Sequence, residues 1–306
     1  MPIKIPDDLP ARASLEAEGL SLMADTDAAR QDIRPLRIGL LNLMPDKPST
    51  ERQFARLLGA SPLQIELSLI QLASHSPKTT SAEHMLAFYR TWEEVRHERF
   101  DGLIVTGAPV ETLPFEEVGY WDELTRIFDW SETHVHAGLA VCWGAQAGVK
   151  HFHGVPKHVM ADKRSGVFPH ANLAPASPYL RGLADEIEIP VSRWTEVRPE
   201  DLPGDGALRV LLDSEESGLC LLEDARRRWL YMFNHPEYET GTLAAEYARD
   251  RLIDPSTPPP RHYFPGDDPS RPPRNRWRSH AHLLIGNWLN EVYQTTPFEL
   301  AKIGAE

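Results

Sequence analysis

Cysteine is scarce in this 306-residue chain, which carries only Cys142 and Cys220. Two thiols make neither a disulfide framework nor a metal-binding quartet, so a zinc site would have to come from histidines and carboxylates. Among the 13 histidines, the run "HVHAGLAVCWGAQAGVKHFHG" lacks the H-E-x-x-H spacing that sets two rings on one helical face, and no metal site is expected. Basic residues are also few, 32 Lys and Arg against 45 Asp and Glu, for a net charge of −13. Phosphate-rich partners need a basic face, so a nucleic-acid or anionic-membrane partner is excluded and any anionic ligand must meet a local basic pocket. No apolar stretch approaches the roughly 18 residues of a membrane span. The opening "MPIKIPDDLPARASLEAEGL" shows none of the features of a secretion signal. The expectation is a cytoplasmic protein.

What is present is an ordinary globular composition, 41% hydrophobic and 25% charged, with enough apolar residues for a sizeable core. Apolar runs bounded by turn residues predict strands over 36–44, 63–72, 101–109, 134–142, 208–213, 218–224 and 229–237. Helical periodicity predicts helices over 49–59, 81–100, 118–130 and 242–254, with Ser49 or Thr50 capping the first of them. Strand and helix alternate through the first half, the pattern of a parallel sheet covered on both faces. One α/β domain over 35–306 is the economical reading, preceded by a polar N-terminal extension over 1–34.

Residues 255–275 hold eight of the 27 prolines, too many for a helix or a central strand. The pair Tyr263 and Phe264 favours an ordered surface loop over a linker, because linkers rarely carry large apolar rings. The helix that follows, over 279–294, packs back onto the domain or onto a second subunit.

Chemistry concentrates at "AVCWG". Ligands of open α/β sheets bind where a strand ends and a helix begins, and Cys142 falls at that junction. The small residues Gly144, Ala145, Ala147 and Gly148 let the next helix pack closely, as in a nucleophile elbow, with Ala140 in place of the usual first glycine. A helix N-terminus favours negative charge on a thiol and offers N–H groups to an oxyanion. Free cysteine is more often a buried filler, and Cys220 inside "GLCLLED" is assigned to the core on that ground. For Cys142 a base is available: "FNHPEY" carries His235 and, two residues on, Glu237, which in extended geometry points the same way and can orient the ring. His–Glu pairs are common on surfaces; joined to a strand-end cysteine, this pair completes a triad.

Several segments resemble the homoserine O-acyltransferases of the class I glutamine-amidotransferase-like superfamily: "QDIRPLRIGLLNLMPDK", "SHSPKTTSAEHMLAFY", "FDGLIVTGAPVE", "AVCWGAQAG", "FNHPEY" and "WRSHAHLLIGNWLNEVYQTTP". The likeness runs from about Ile5 to Leu300. It implies a flavodoxin-like, doubly wound, mainly parallel sheet, and transfer of an acyl group from acyl-CoA to the hydroxyl of L-homoserine in methionine biosynthesis. By the same resemblance Cys142 carries the acyl thioester, His235 is the base and Glu237 its orienter. The resemblance further implies that Lys163, Ser192 and Arg249 contact substrate, that acyl-CoA is a co-substrate with no further cofactor, and that the protein is a homodimer. Without the resemblance, Lys163 and Arg249 would read as solvated surface charges. Glu111 falls where acetyl-using members carry glutamate and succinyl-using members glycine, which implies acetyl-CoA as donor. The alternatives are a succinyl-CoA-dependent enzyme, a cysteine amidotransferase on the same fold, and a non-catalytic thiol sensor.

Overall fold

The apolar runs fold as strands of one sheet. The computed structural model describes residues 3–6, 8–17, 22–23, 34–75 and 79–304. Its strands are β1 (Ile3–Lys4), β2 (Leu22–Met23), β3 (Leu36–Leu41), β4 (Ile65–Gln71), β5 (Tyr89–Thr91), β6 (Phe100–Val105), β7 (Val135–Val141), β8 (His158–Asn172), β9 (Glu186–Glu196), β10 (Arg209–Asp213), β11 (Leu221–Asp224) and β12 (Trp229–Met232). They lie in the order β2-β1-β4-β3-β6-β7-β12-β11-β10-β8-β9, with β5 beside β4. From β2 across to β12 neighbours run parallel; from β12 to β9 they run antiparallel. The strands β6 and β7 are buried along their whole length, which is why they read as apolar runs interrupted only by the buried Asp101 and His136.

The helices are α1 (Ala11–Ala17), α2 (Lys47–Gly59), α3 (Ala82–Phe88), α4 (Trp92–Val95), α5 (Trp121–His134), α6 (Trp143–His153), α7 (Thr242–Ile253) and α8 (Arg278–Thr295). Among the described residues, no helix is long and apolar enough to cross a membrane. Two local expectations are corrected. The cap of α2 is Asp46, not Ser49 or Thr50: its carboxylate accepts the Ser49 N–H at 3.3 Å and the Ser49 hydroxyl at 2.6 Å, and Pro48 sits in the first turn, where a missing N–H is harmless. The helix expected over 81–100 breaks at Phe88, because Tyr89–Thr91 turn extended and pair with Leu69–Gln71 of β4. The chain restarts as α4 when the Thr91 N–H donates to the Glu94 carboxylate at 2.7 Å.

Further findings concern the flanks. The described part of residues 1–34 joins the sheet through β1 and β2, and Ile5, Leu9, Ala11 and Leu15 enter the core. Residues 18–21 and 24–33 of that segment lie outside the described residues. The proline-rich segment is ordered, with Tyr263 and Phe264 buried in a satellite core beside Trp277, Tyr238 and Leu243. The helix α8 packs on its own domain: Trp288 fills the space left by Gly102, whose added Cβ would lie 2.9 Å from the indole, and Asn287 Nδ2 donates to the carbonyls of Tyr179 (3.0 Å) and Arg181 (2.8 Å). The long antiparallel pair β8–β9 had no counterpart among the expected strands.

Candidate active site

Four parallel strands end level with one another. Leu41 of β3 pairs with Val105 of β6, Val105 with Ala140 of β7, and Val141 with Met232 of β12. The segments leaving that edge carry Glu111, Cys142, His235 and Glu237. Cys142 follows β7 directly and opens α6 with φ 52° and ψ −120°, a left-sided conformation rare for a residue with a Cβ. Strain of this kind costs on the order of 1–3 kcal/mol and persists only where the surroundings enforce it. Here the Cys142 N–H donates to Met232 O at 2.7 Å, and its carbonyl accepts from Ala145 (3.0 Å) and Gln146 (3.2 Å). A Cβ on Gly144 would stand 2.5 Å from Thr106 O, so only glycine lets the helix start this close to β6. Gln146 clasps α6 to β9, accepting from the Thr195 hydroxyl at 2.8 Å and donating to Thr195 O at 3.2 Å.

The histidine and glutamate are not on a strand. β12 ends at Met232, and the two residues meet across a turn at Pro236, closed by the Tyr238 N–H on His235 O at 3.3 Å. This corrects the extended geometry expected through residue 237: proline has no N–H for a ladder, and the turn brings the pair together. His235 Nδ1 and Glu237 Oε1 are 2.7 Å apart and both residues are buried. The His235 N–H is tied to Pro190 O of β9 at 2.9 Å, and the Tyr238 ring stacks on the imidazole at 4.1 Å. Burial alone would lower the His235 pKa; the charges of Cys142 and Glu237, and hydrogen bonds to both, outweigh it and raise the pKa well above the ordinary value. The structure therefore brings Cys142, His235 and Glu237 together, the last two hydrogen-bonded and the thiol close enough to act on the imidazole.

Lys163, Ser192 and Arg249 converge through two carboxylates of α7. Glu246 Oε2 accepts from the Ser192 hydroxyl (2.5 Å) and from Lys163 Nζ (3.3 Å), its other oxygen from the Tyr238 hydroxyl (2.6 Å). Asp250 accepts from Lys163 at 2.8 Å and from Arg249 Nε at 2.8 Å. Burial pushes the Glu246 pKa up, but Lys163, Ser192 and Tyr238 hold it below the usual range. Arg249 is the least enclosed, its side chain 63% exposed. Glu111 sits in the loop after β6. Burial raises its pKa, against the opposing influence of the Trp194 backbone N–H and the charges of His235, Lys163 and Lys157. Lys157 fastens that loop, donating to the carbonyls of Glu111 and Leu113. Cys220, by contrast, is wholly buried, and burial pushes its thiol up to about 12.

The family model for homoserine O-succinyltransferase matches residues 2–298. The chain belongs to that family. Members named homoserine O-acetyltransferase are similar over nearly the full length: that of Brucella canis is 62% identical over 304 residues, covering 99% of each chain, and that of Rhizorhabdus wittichii is 64% identical over 304 residues, covering 99% of this chain and 95% of its own. The fold is that of the class I glutamine amidotransferases. Such an enzyme from Thermotoga maritima superposes with a TM-score of 0.58 at 12% identity, over 86% of this chain and 100% of its own, and one from Methylobacillus flagellatus with 0.56 at 12% identity, over 85% and 95%.

Residue-by-residue reading of this homoserine O-succinyltransferase family member missed the groups that join the site together. Glu246 and Asp250 stand four apart on one helical face, with Arg249 beside them, and that spacing was available as a signal. Tyr238, Trp194 and Lys157 carried none, because their roles come from contacts between distant segments.

Proposed function

We propose that the protein transfers an acetyl group from acetyl-CoA to the hydroxyl of L-homoserine through a thioester on Cys142. The observation that carries this reading is the buried line of Cys142, His235 and Glu237 at the start of α6. The Cys142 thiolate attacks the thioester carbonyl, and the N–H groups of Trp143 and Gly144, which open the helix without intrahelical acceptors, supply donors to the oxyanion. The carbon–sulfur bond to CoA breaks as His235 passes its proton to the departing thiolate. Neutral His235 then takes the proton of the homoserine hydroxyl as its oxygen attacks the acetyl-enzyme, and Cys142 leaves as the thiolate. Glu237 holds the ring and balances the imidazolium in each half-reaction.

Lys163 and Arg249 offer cations to the amino-acid carboxylate, a two-pronged guanidinium contact in the case of Arg249. Glu111 favours acetyl-CoA. A half-buried carboxylate beside the acyl position fills the space of a succinyl group and opposes its free carboxylate, while a neutral acetyl group is unaffected. The names of the full-length relatives agree with this donor.

Intact-protein mass measurement after exposure to acetyl-CoA tests the reading. One acetyl group should appear, be absent in Cys142→Ala, and disappear on adding L-homoserine, with parallel double-reciprocal lines at steady state. Intersecting lines without a trapped acetyl-enzyme would replace it with direct transfer. A higher kcat/KM for succinyl-CoA would overturn the donor alone.

A further inference from the structure

A cleft of about 970 Å³ opens beside the site, the capacity of a site for a ligand much larger than a four-carbon amino acid. It shares Lys163, Arg249 and Asp250 with the acceptor contacts, and is lined by Trp194, whose backbone N–H influences Glu111. One wall is the beginning of β8 and another is α7. The third is the proline-rich segment at residues 256–261, otherwise without a task.

That segment is held as a wall. The Arg261 N–H donates to Ser165 O and the Val167 N–H to Arg261 O, both at 2.9 Å, so Arg261 lies along β8 like a short added strand. Gly166 makes this possible: a Cβ there would stand 2.3 Å from Arg261 O. Pro258, Pro259 and Pro260 stiffen the approach, since each ring fixes φ.

The cleft is also cationic for so acidic a chain. Lys163, Arg164, Arg249 and Arg261 face Asp162, Asp250 and Asp254, four cations against three carboxylates in a chain of net charge −13. Asp250 is engaged by Lys163 and Arg249, and Asp254 accepts the Ser256 N–H and hydroxyl at 2.9 and 2.6 Å. Towards the outside, Arg261 is 61% exposed beside Glu216 and lies over the Phe168 ring at 5.6 Å, while Arg164 reaches Glu196 at 3.4 Å. Trp194, 40% exposed, adds a flat apolar face.

We propose that this cleft binds the nucleotide end of the acyl donor, an adenosine diphosphate with a 3′-phosphate, with Arg164 and Arg261 on the phosphates and the pantetheine arm running inward past Trp194 and Lys163 to Cys142. The assignment rests on the acetyl-CoA reading above. A diphosphate with a further phosphate is the part of the donor that needs forked, fixed cations, and guanidinium groups recognise it in two-pronged fashion.

Calorimetric titration of the full chain with CoA, with 3′-dephospho-CoA and with pantetheine tests it. Arg164→Gln and Arg261→Gln should each weaken CoA about tenfold and shrink the preference for CoA over 3′-dephospho-CoA, leaving the KM values for acetyl-pantetheine and homoserine within about twofold. Arg261→Lys should recover part of the loss. Unchanged CoA affinity in both variants overturns the proposal, as does an equal loss with acetyl-pantetheine, which would mark the arginines as supports of β8. Binding is read without turnover. A chain that binds CoA through these arginines yet transfers no acetyl group overturns the proposed function and leaves the cleft assignment standing.

Discussion

At the scale of the residue, the imidazole of His235 stands 2.7 Å from the Glu237 carboxylate, which in the proposed reaction sets which nitrogen carries the proton. Removing the base removes proton transfer, whereas removing the orienter leaves a ring that can still reach the thiol. His235→Asn should therefore lower kcat by on the order of 10⁴-fold, and Glu237→Gln by a smaller factor of about 10²-fold or more, both measured with saturating acetyl-CoA. Equal activity in His235→Asn and the unaltered chain would dissolve the triad. Donor choice is also a residue-scale property. Glu111→Gly should raise the succinyl-CoA to acetyl-CoA ratio of kcat/KM by roughly 10- to 100-fold. Lys157→Met, which frees the carbonyls of Glu111 and Leu113, should move the ratio the same way by less, with the KM for homoserine little changed.

At the scale of the element, the junction of β7 and α6 decides whether the thiol faces the site. Its tolerance is set by the gap between α6 and the backbone after β6. Gly144→Ala forces a Cβ to 2.5 Å from Thr106 O and 2.8 Å from Val105 O, both backbone atoms that cannot step aside. Such overpacking costs about 1–3 kcal/mol. Scanning calorimetry should show Tm falling by about 5 °C, together with a loss of kcat as the elbow shifts. Gly241→Ala is the control, because nothing lies within 4 Å of a Cβ there, and its Tm should stay in place. The correction over residues 81–100 also belongs to this scale: the apolar spacing was helical, but the stretch of β4 that the short β1 leaves unpaired recruited Tyr89–Thr91 as a strand.

At the scale of the whole molecule, two buried histidines outside the proposed triad link folding to pH. His136 donates to or accepts from Thr295 Oγ1 at 2.8 Å, and His170 meets Asn234 at 2.8 Å and Ser217 at 3.0 Å. Burial, seconded by Arg228 for His136 and Arg193 for His170, holds each pKa down to about 4. Below pH ~6.5 the unfolded chain takes up these protons and the folded chain does not until pH ~4, so stability falls across that window as pH drops, by at most about 3 kcal/mol per histidine. His235 acts in the opposite sense, since its raised pKa favours the fold below pH ~6.5 and that contribution fades as pH rises. Urea midpoints should decline steadily from pH 6.5 to 4, before most carboxylates titrate, and His170→Gln should flatten the slope. A midpoint constant down to pH 4.5 would contradict buried neutral histidines.

Local sequence was sufficient for the parallel half of the sheet, because strands buried on both faces have to be continuous apolar runs. It was sufficient also for the place of Cys142 at a strand-to-helix junction, for the pairing of His235 with Glu237, and for burial of Tyr263 and Phe264. Those properties depend on residues within a few positions of one another. The ribbon β8–β9 was not legible, since "HVMADKRSGVFPHAN" mixes charge, glycine and proline without steady alternation, and its pairing is fixed by a partner strand and by the Arg261 segment lying along it. The same holds for the union of Lys163, Ser192 and Arg249, which exists only because α7 lays Glu246 and Asp250 over that ribbon. Periodicity records which face of an element is buried; which distant element buries it is decided by tertiary packing alone.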